Sequence, residues 1–300
     1  MSTTLERAAK TQANRIPQPK YKTRGTIIIT ALMTIMLGYA LVPVWWLVVN
    51  ASKTNQDLFT TPGLVPGSSF ALFDNIAQVF TEDGGIFVRW MGNTLLYVVL
   101  GTIGVAVVSS LAGYGAAKFK FPGRAALFVV ILGALAVPGS ALAVPTFLLF
   151  SQLQLTNTIW AVILPSMISP FAFFLIWVYA RDAVPDEVLE AARIDGAGEF
   201  RIFSTIALRI MAPVIITVVL FAFVSNWNNY FLPYIMLNDN KLAPLTIGLA
   251  QWNASAVQIG GKTLYNIVIA GSLVTVLPIA ACFLTLQRYW KSGLTTGAVK

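Results

Sequence analysis

The sequence contains no histidine and a single cysteine, Cys282, which sits in an apolar run. A disulfide within the chain is therefore excluded, and a zinc site has neither His nor a Cys pair to build on, so no metal is expected. Charge is scarce as well. Only 11% of the residues are Asp, Glu, Lys or Arg, where a soluble domain carries about 25%. With 57% hydrophobic residues and a mean hydropathy of +0.74, an integral membrane protein is the first class to consider. The net charge of +8 would suggest nucleic acid in a soluble protein. In a membrane protein it suggests basic cytoplasmic loops, so the bilayer is the expected partner and nucleic acid is not. There is no internal repeat and no low-complexity tract.

Six apolar stretches follow one another, at residues 25–49, 90–117, 125–150, 158–180, 211–237 and 265–287. Each exceeds the ~20 residues that a spanning helix needs. All 20 Lys/Arg and all 12 Asp/Glu residues fall in connections, tails or helix ends, as expected when a charge in mid-bilayer costs at least ~2.5 kcal/mol. The expectation is an all-α polytopic protein: a basic tail at 1–24, a six-span domain at 25–287 and a short tail at 288–300. The first span is too long for a signal peptide and is followed by Pro43, Trp45 and Trp46 rather than a small-residue cleavage site. Basic residues cluster in the N-terminal tail, at 118–124, at 181–209 and in the C-terminal tail. Only Lys53, Arg89, Lys241 and Lys262 lie on the other side. The positive-inside rule then puts both termini and the 181–212 segment in the cytoplasm.

That segment gathers charge unusually densely. Val184-Pro185-Asp186-Glu187 reads as a helix start, with proline in the first turn and acids at the positive dipole end. Val188, Leu189 and Ala192 share one helical face, while Asp186, Glu187, Glu190 and Arg193 share another. Gly196 is the stop signal. A second amphipathic pattern follows at Phe200, Phe203, Ile206, Ala207 and Ile210. A plain charged loop, with Glu190 paired to Arg193, is the alternative.

The wording of the segment is more specific than its pattern. Glu190-Ala191-Ala192, Asp195-Gly196-Ala197, Phe203, Ile206, Leu208 and Pro213 resemble the EAA motif of ABC importer permeases. The block from Asn93-Thr94-Leu95 through Ala112-Gly113-Tyr114 to Arg124 is similar to the family's second-span region. Asn226-Trp227-Asn228, Pro244-Leu245-Thr246 and Gly248-Leu249-Ala250 are similar to its fifth-span region, and 293–300 to the end of maltose-type permeases. One departure is Arg209, where the family usually has proline. The resemblance implies an ABC importer permease fold of the carbohydrate-uptake branch. It also implies a cytoplasmic coupling helix in which Glu190, Ala191, Ala192, Asp195, Gly196 and Ala197 engage a separate ATPase. The implied partners are a second permease subunit, a dimer of ATP-binding subunits and an extracellular or periplasmic sugar-binding protein, in a bacterial or archaeal cell membrane. No cofactor is implied.

The chain has no ATPase of its own on this reading. Its one Gly-Lys-Thr, at 261–263, lacks the glycine five residues earlier, where Ala256 stands. Asn226, Asn228 and Asn229 fall deep in the fifth span, about 22 Å along a helix from Met211 for Asn226. Amides there need partners, from neighbouring helices or from a wet sugar pathway in which Trp227 and Tyr230 would offer rings. Pro138, Pro145, Pro165 and Pro170 mark either packing kinks or gate hinges. The connections 51–89 and 238–264 are either linkers or landing surfaces for the binding protein. A secondary transporter would be expected to show repeats and intramembrane ionisable residues, and a membrane enzyme would need a nucleophile motif or paired carboxylates. None of these is present in the sequence.

Overall fold

The computed structural model describes residues 23–258 and 263–295, with side chains described over 25–258 and 263–285. The basic tail at 1–22, the Gly261-Lys262 of the rejected phosphate loop and residues 296–300 lie outside the described residues. Every described element is helical. The chain divides into two compact units, residues 1–48 and 49–300. The described part of the first lies in helix α1 (Thr23–Ala51), whose last three residues fall in the second unit; α1 is an apolar span long enough to cross a bilayer and continuous through Pro43.

The second unit is built around α4 (Ile86–Lys118), which contacts most of its neighbours. Two short helices precede it, α2 (Asn55–Thr60) and α3 (Leu72–Thr81). The third stretch is not one straight span. It breaks into α5 (Arg124–Ala136) and a leg containing α6 (Ala143–Gln152), and the legs 124–136 and 139–152 bend by 104°. Pro138 lies at the break and removes a backbone donor there. The fourth stretch is α7 (Trp160–Ser166) and α8 (Pro170–Ala183), interrupted at 167–169. Ser169 caps α8 by accepting from the Ala172 N–H at 3.2 Å, and Pro170 takes the first helical position, where its missing N–H is not needed. The charged segment forms α9 (Asp186–Ile194) and α10 (Glu199–Ile202).

The fifth stretch is also shorter than its apolar run. α11 (Ala212–Trp227) is 16 residues long, and α12 (Phe231–Met236) resumes after a break at 228–230. Four spans, one of them interrupted at 167–169, and two pairs bent at a break, 124–136 with 139–152 and 199–210 with 212–227, thus replace six uniform helices. The connection 238–264 is more than a linker. It contains α13 (Leu245–Val257), whose Leu245, Ile247 and Trp252 are buried. The last helix, α14 (Tyr265–Thr295), runs past the expected end of the span at 287.

Of four apolar clusters among the described residues, two large ones hold the ends of the second unit together. One gathers Tyr114, Ile176, Leu189, Ile202, Met211 and Val214 near the charged segment. The other gathers Phe87, Trp90, Trp252 and Ile267 at the opposite end. There, one face of α4 holds the 240–245 loop. Arg89 Nε and Asn93 Nδ2 donate to the Lys241 carbonyl, Tyr97 Oη donates to that of Leu242, and Thr94 Oγ1 accepts from the Leu245 N–H. The spacing 89, 93, 94 and 97 is one helical stripe, so a single face of α4 satisfies a loop that strands or helices would otherwise have to pair.

Small residues let α4 approach its neighbours closely, as in other membrane helix pairs. A methyl group added at Gly113 would come within 2.7 Å of Ile176 Cγ2 and 3.1 Å of the Phe173 carbonyl, whereas Gly115 has open space. Gly113→Val should therefore lower the thermal unfolding midpoint of the detergent-solubilised protein, at a cost of about 1–3 kcal/mol. Gly115→Ala, measured by the same melt, should be near neutral.

Candidate functional site

Two regions carry the sequence-derived candidates. The first is the helix pair α9–α10. Glycine ends α9 through its backbone freedom: Gly196 has φ +82°, a region that costs an L-residue about 1–2 kcal/mol. Its N–H donates to the Arg193 carbonyl and that of Ala197 to the Ala192 carbonyl, both at 3.0 Å. This pair of bonds is a complete Schellman cap. Arg193 does not turn to Glu190. It forks across the turn to Glu199, with Nε–Oε1 at 2.7 Å and Nη2–Oε2 at 3.2 Å. This clamps α9 to α10 and leaves Glu190 exposed with no hydrogen bond or close ion pair among the described residues.

Leu189 faces inward at 1% exposure, and Ala192 and Ala197 pack beside the same cluster. Val188, expected on that face, is 42% exposed. Phe200 also departs from its expected register: it is 78% exposed, and Ile202 is buried in its place. The reason is the turn that follows. Residues Phe203–Ala207 form a π-helical turn, which inserts an extra residue and rotates the face. The chain then bends by 79° between Glu199–Ile210 and Ala212–Trp227. Arg209 lies in the last turn before the bend and Pro213 just after it, so the bend forms without proline at 209. The exposed side of the helix pair thus includes Ile194 at 87% exposure and Phe200, together with Glu190, Ala191, Asp195 and Gly196.

One contact of this region was absent from the sequence reading. Lys118, at the end of α4, donates from Nζ to the Val184 carbonyl at 2.6 Å and to Asp186 Oδ1 at 2.7 Å. Its side chain is 5% exposed. The start of α9 is thereby tied to the longest helix of the unit. The Lys118 hydrogen bond holds the Asp186 carboxyl below its ordinary value of 3.8. A lowered folded-state pKa contributes stability above the unfolded value and loses it as pH falls through the folded one, so the tie is complete at neutral pH. Charge patterning alone places Lys118 in a basic loop, and its partner lies 68 residues away.

The second region is a cavity of 580 Å³, within the range of small-ligand sites. It lies where three spans break. Ala134 and Leu135 precede the first break, residues 165–170 contain the second, and Ser225, Asn226 and Asn229 flank the third. Irregular backbone at membrane depth is tolerated where it faces protein or a wet cavity. Asn226 closes α11 with its amide nitrogen turned to Gly101, where an added methyl would come within 2.6 Å, and that nitrogen has no hydrogen-bond partner. Asn226, Asn229 and Ser166 also line a second, narrow void with Thr94, Tyr97 and Pro244, so they separate the main cavity from the end held by α4.

The structure separates the other candidates from this wall. Trp227 is buried in the core at 4% exposure and stacks on Phe223. Asn228 is exposed and donates to the Val224 carbonyl, and Tyr230 stacks on Tyr234. The rings on the cavity wall are instead Phe171 and Phe221, edge to face at 5.8 Å. Nothing in local composition marks these two phenylalanines among 19. They meet only because α8 and α11 pack side by side.

Comparisons with known proteins agree with this architecture. Residues 106–294 match the family described as binding-protein-dependent transport system inner membrane component. The chain is 34% identical over 284 residues to the arabinooligosaccharides transport system permease protein AraQ of Halalkalibacterium halodurans, covering 93% of this chain and 99% of that one. It is 32% identical to the lactose transport system permease protein LacG of Rhizobium radiobacter, covering 91% and 96%. It is 30% identical to the sn-glycerol-3-phosphate transport system permease protein UgpE of Pectobacterium atrosepticum, covering 90% and 96%. In fold it is similar to a chain of a bacterial ABC transporter involved in import of the acidic polysaccharide alginate. The TM-score is 0.79 at 19% identity, covering 91% of this chain and 100% of that one.

If Lys118 tethers α9, then Lys118→Met should speed amide hydrogen exchange over 190–194, whose N–H groups bond within the helix, by roughly tenfold, because a charge-assisted bond at the helix start is lost. In the unaltered protein the same amides, corrected for intrinsic rates, should keep constant protection from pH 8 down to pH 5.

Proposed function

This chain belongs to the family of binding-protein-dependent transport system inner membrane components, and from that premise we propose that it is the permease subunit of an ATP-driven sugar importer. It forms half of a translocation pathway, and a second, different permease subunit forms the other half. A dimer of separate ATP-binding subunits drives alternating access, and an external sugar-binding protein delivers the substrate. The protein sits in the cell membrane with both termini in the cytoplasm. Relatives named for arabinooligosaccharides and lactose support sugar as the substrate class. The glycerol-3-phosphate relative shows that the family name alone does not settle it.

The observation that carries this reading is the surface of α9–α10. Two large apolar side chains, Ile194 at the end of α9 and Phe200 on α10, stand exposed, as does Glu190, on a helix pair that is capped at Gly196, clamped by Arg193–Glu199 and tied to α4 by Lys118. Held on a rigid base, these side chains are available to a partner without a cost in ordering them. On this proposal the ATP-binding subunit receives Ile194 and Phe200 in a groove, and a basic group there meets Glu190 in a charge-assisted bond. Ala191 and Ala192 permit close approach, Asp195 and Ala197 complete the turn, and the Lys118 tie carries movement of α9 to α4. The cavity at the three span breaks, walled by Asn226 and Asn229, is the pathway through this subunit. Secondary transport and membrane enzymology have no comparable support.

Glu190→Lys, Ile194→Asp and Gly196→Leu should each weaken co-purification of the ATP-binding subunit and reduce sugar uptake. Loss of a central apolar anchor costs about 2 kcal/mol or more, roughly 30-fold in association. Binding of sugar to the external binding protein should be unchanged. Normal uptake and normal ATPase association in all three variants would sink the proposal.

A further inference from the structure

The cavity has a chemistry of its own. Among the described residues that line it, none is charged. Its polar groups are neutral hydroxyls and amides, chiefly Ser166, Ser225, Asn226 and Asn229. Two half-exposed rings, Phe171 and Phe221, at 48% and 45% exposure, share the wall with them. A mostly aliphatic wall that carries both amide or hydroxyl groups and two aromatic rings matches one class of solute. A neutral sugar ring carries hydroxyls around its edge and C–H groups on its faces, so it can hydrogen-bond on one side and lie on an aromatic face on the other. An acidic glycan or a phosphate ester would need a cation or a helix N-terminus directed at it to offset desolvation of its charge. This wall offers no cation, and Ser169 already caps the helix start at Pro170.

Resting on the proposed pathway role of this cavity, we infer that the subunit itself holds a substrate subsite for a neutral oligosaccharide. Phe171 and Phe221 bind a sugar face, and Asn226, Asn229, Ser166 and Ser225 bind its hydroxyls. The site distinguishes neutral from anionic glycans within the membrane, after delivery and independently of the binding protein. Ser225, which is exposed, and Asn229, which is half-buried, are the polar residues of this wall best placed to meet a solute's hydroxyls.

The test uses the complete importer, with its partner permease, ATP-binding subunits and binding protein, in proteoliposomes. The probes are neutral arabino- and malto-oligosaccharides and an oligogalacturonate. A neutral probe should be imported and the oligogalacturonate should not. For the imported probe, Phe171→Leu and Phe221→Leu should each reduce import at subsaturating sugar by roughly tenfold. Phe171→Tyr and Phe221→Tyr should restore it, because the ring face and not mere apolar bulk is required. Import of oligogalacturonate in preference to the neutral probes, or Leu variants that transport like the unaltered protein, would overturn the subsite. The pathway reading is tested separately by Ser225→Cys in a Cys282→Ser background. Labelling by a membrane-impermeant thiol reagent during turnover confirms that water reaches the cavity, so silent Leu variants then reject the subsite alone. Absence of labelling rejects the pathway reading and the subsite with it.

Discussion

A bilayer offers no water to an unpaired amide or carbonyl, and this constraint organises the second unit. A continuous helix satisfies itself, as α4 does over 33 residues. A broken helix has to find partners elsewhere. The breaks at 137–138, 167–169 and 228–230 are local interruptions at prolines and asparagines, and all three converge on one cavity. Convergence fits their being tolerated: residues at or next to each break line that cavity, the setting in which irregular backbone is accommodated at membrane depth. It also explains why the span-breaking residues cluster in the third, fourth and fifth stretches.

The charged end follows a complementary logic. There the backbone is near water, and the requirement is stiffness in a short exposed element. Three local devices supply it: the Schellman cap at Gly196, the Arg193–Glu199 fork and the Lys118 tie to Val184 and Asp186. Each fixes a different degree of freedom. The cap ends α9, the fork sets the angle to α10, and the tie anchors the start of α9 to α4. Leu189 and Ile202 bury the inner face, so what remains outside is a rigid surface of Ile194, Phe200 and Glu190. The contact network runs from this surface through Tyr114 and Ile176 into α4 and α8, and α8 carries the Phe171 ring of the cavity.

Much of this was legible in advance because it depends on local rules. Hydropathy located the apolar stretches, since a spanning helix must be long and uncharged. Pro185 and Gly196 bounded α9, because proline and glycine act on the backbone of their own turn. Periodicity failed where the helix changed type. The π-helical turn at Phe203–Ala207 sits just past Phe200, and no propensity rule marks it, so Phe200 was expected inside and lies outside. Length failed at the fifth stretch, where an apolar run of 27 residues hides the break after Trp227, because Asn228 and Asn229 do not lower hydropathy enough to show it.

The sequence alone determined the membrane class, the position of the charged segment, its capped helix and its likeness to importer permeases, because charge, hydropathy and backbone stereochemistry are properties of residues and their immediate neighbours. Tertiary structure alone decided that Lys118 reaches Asp186, that Arg193 chooses Glu199 over Glu190, that Trp227 belongs to the core, and that Phe171 and Phe221 share a cavity wall with Asn226. Each of these joins residues that are distant in sequence or several turns apart, and which side chains meet depends on helix rotation and on where spans break, neither of which any single stretch encodes.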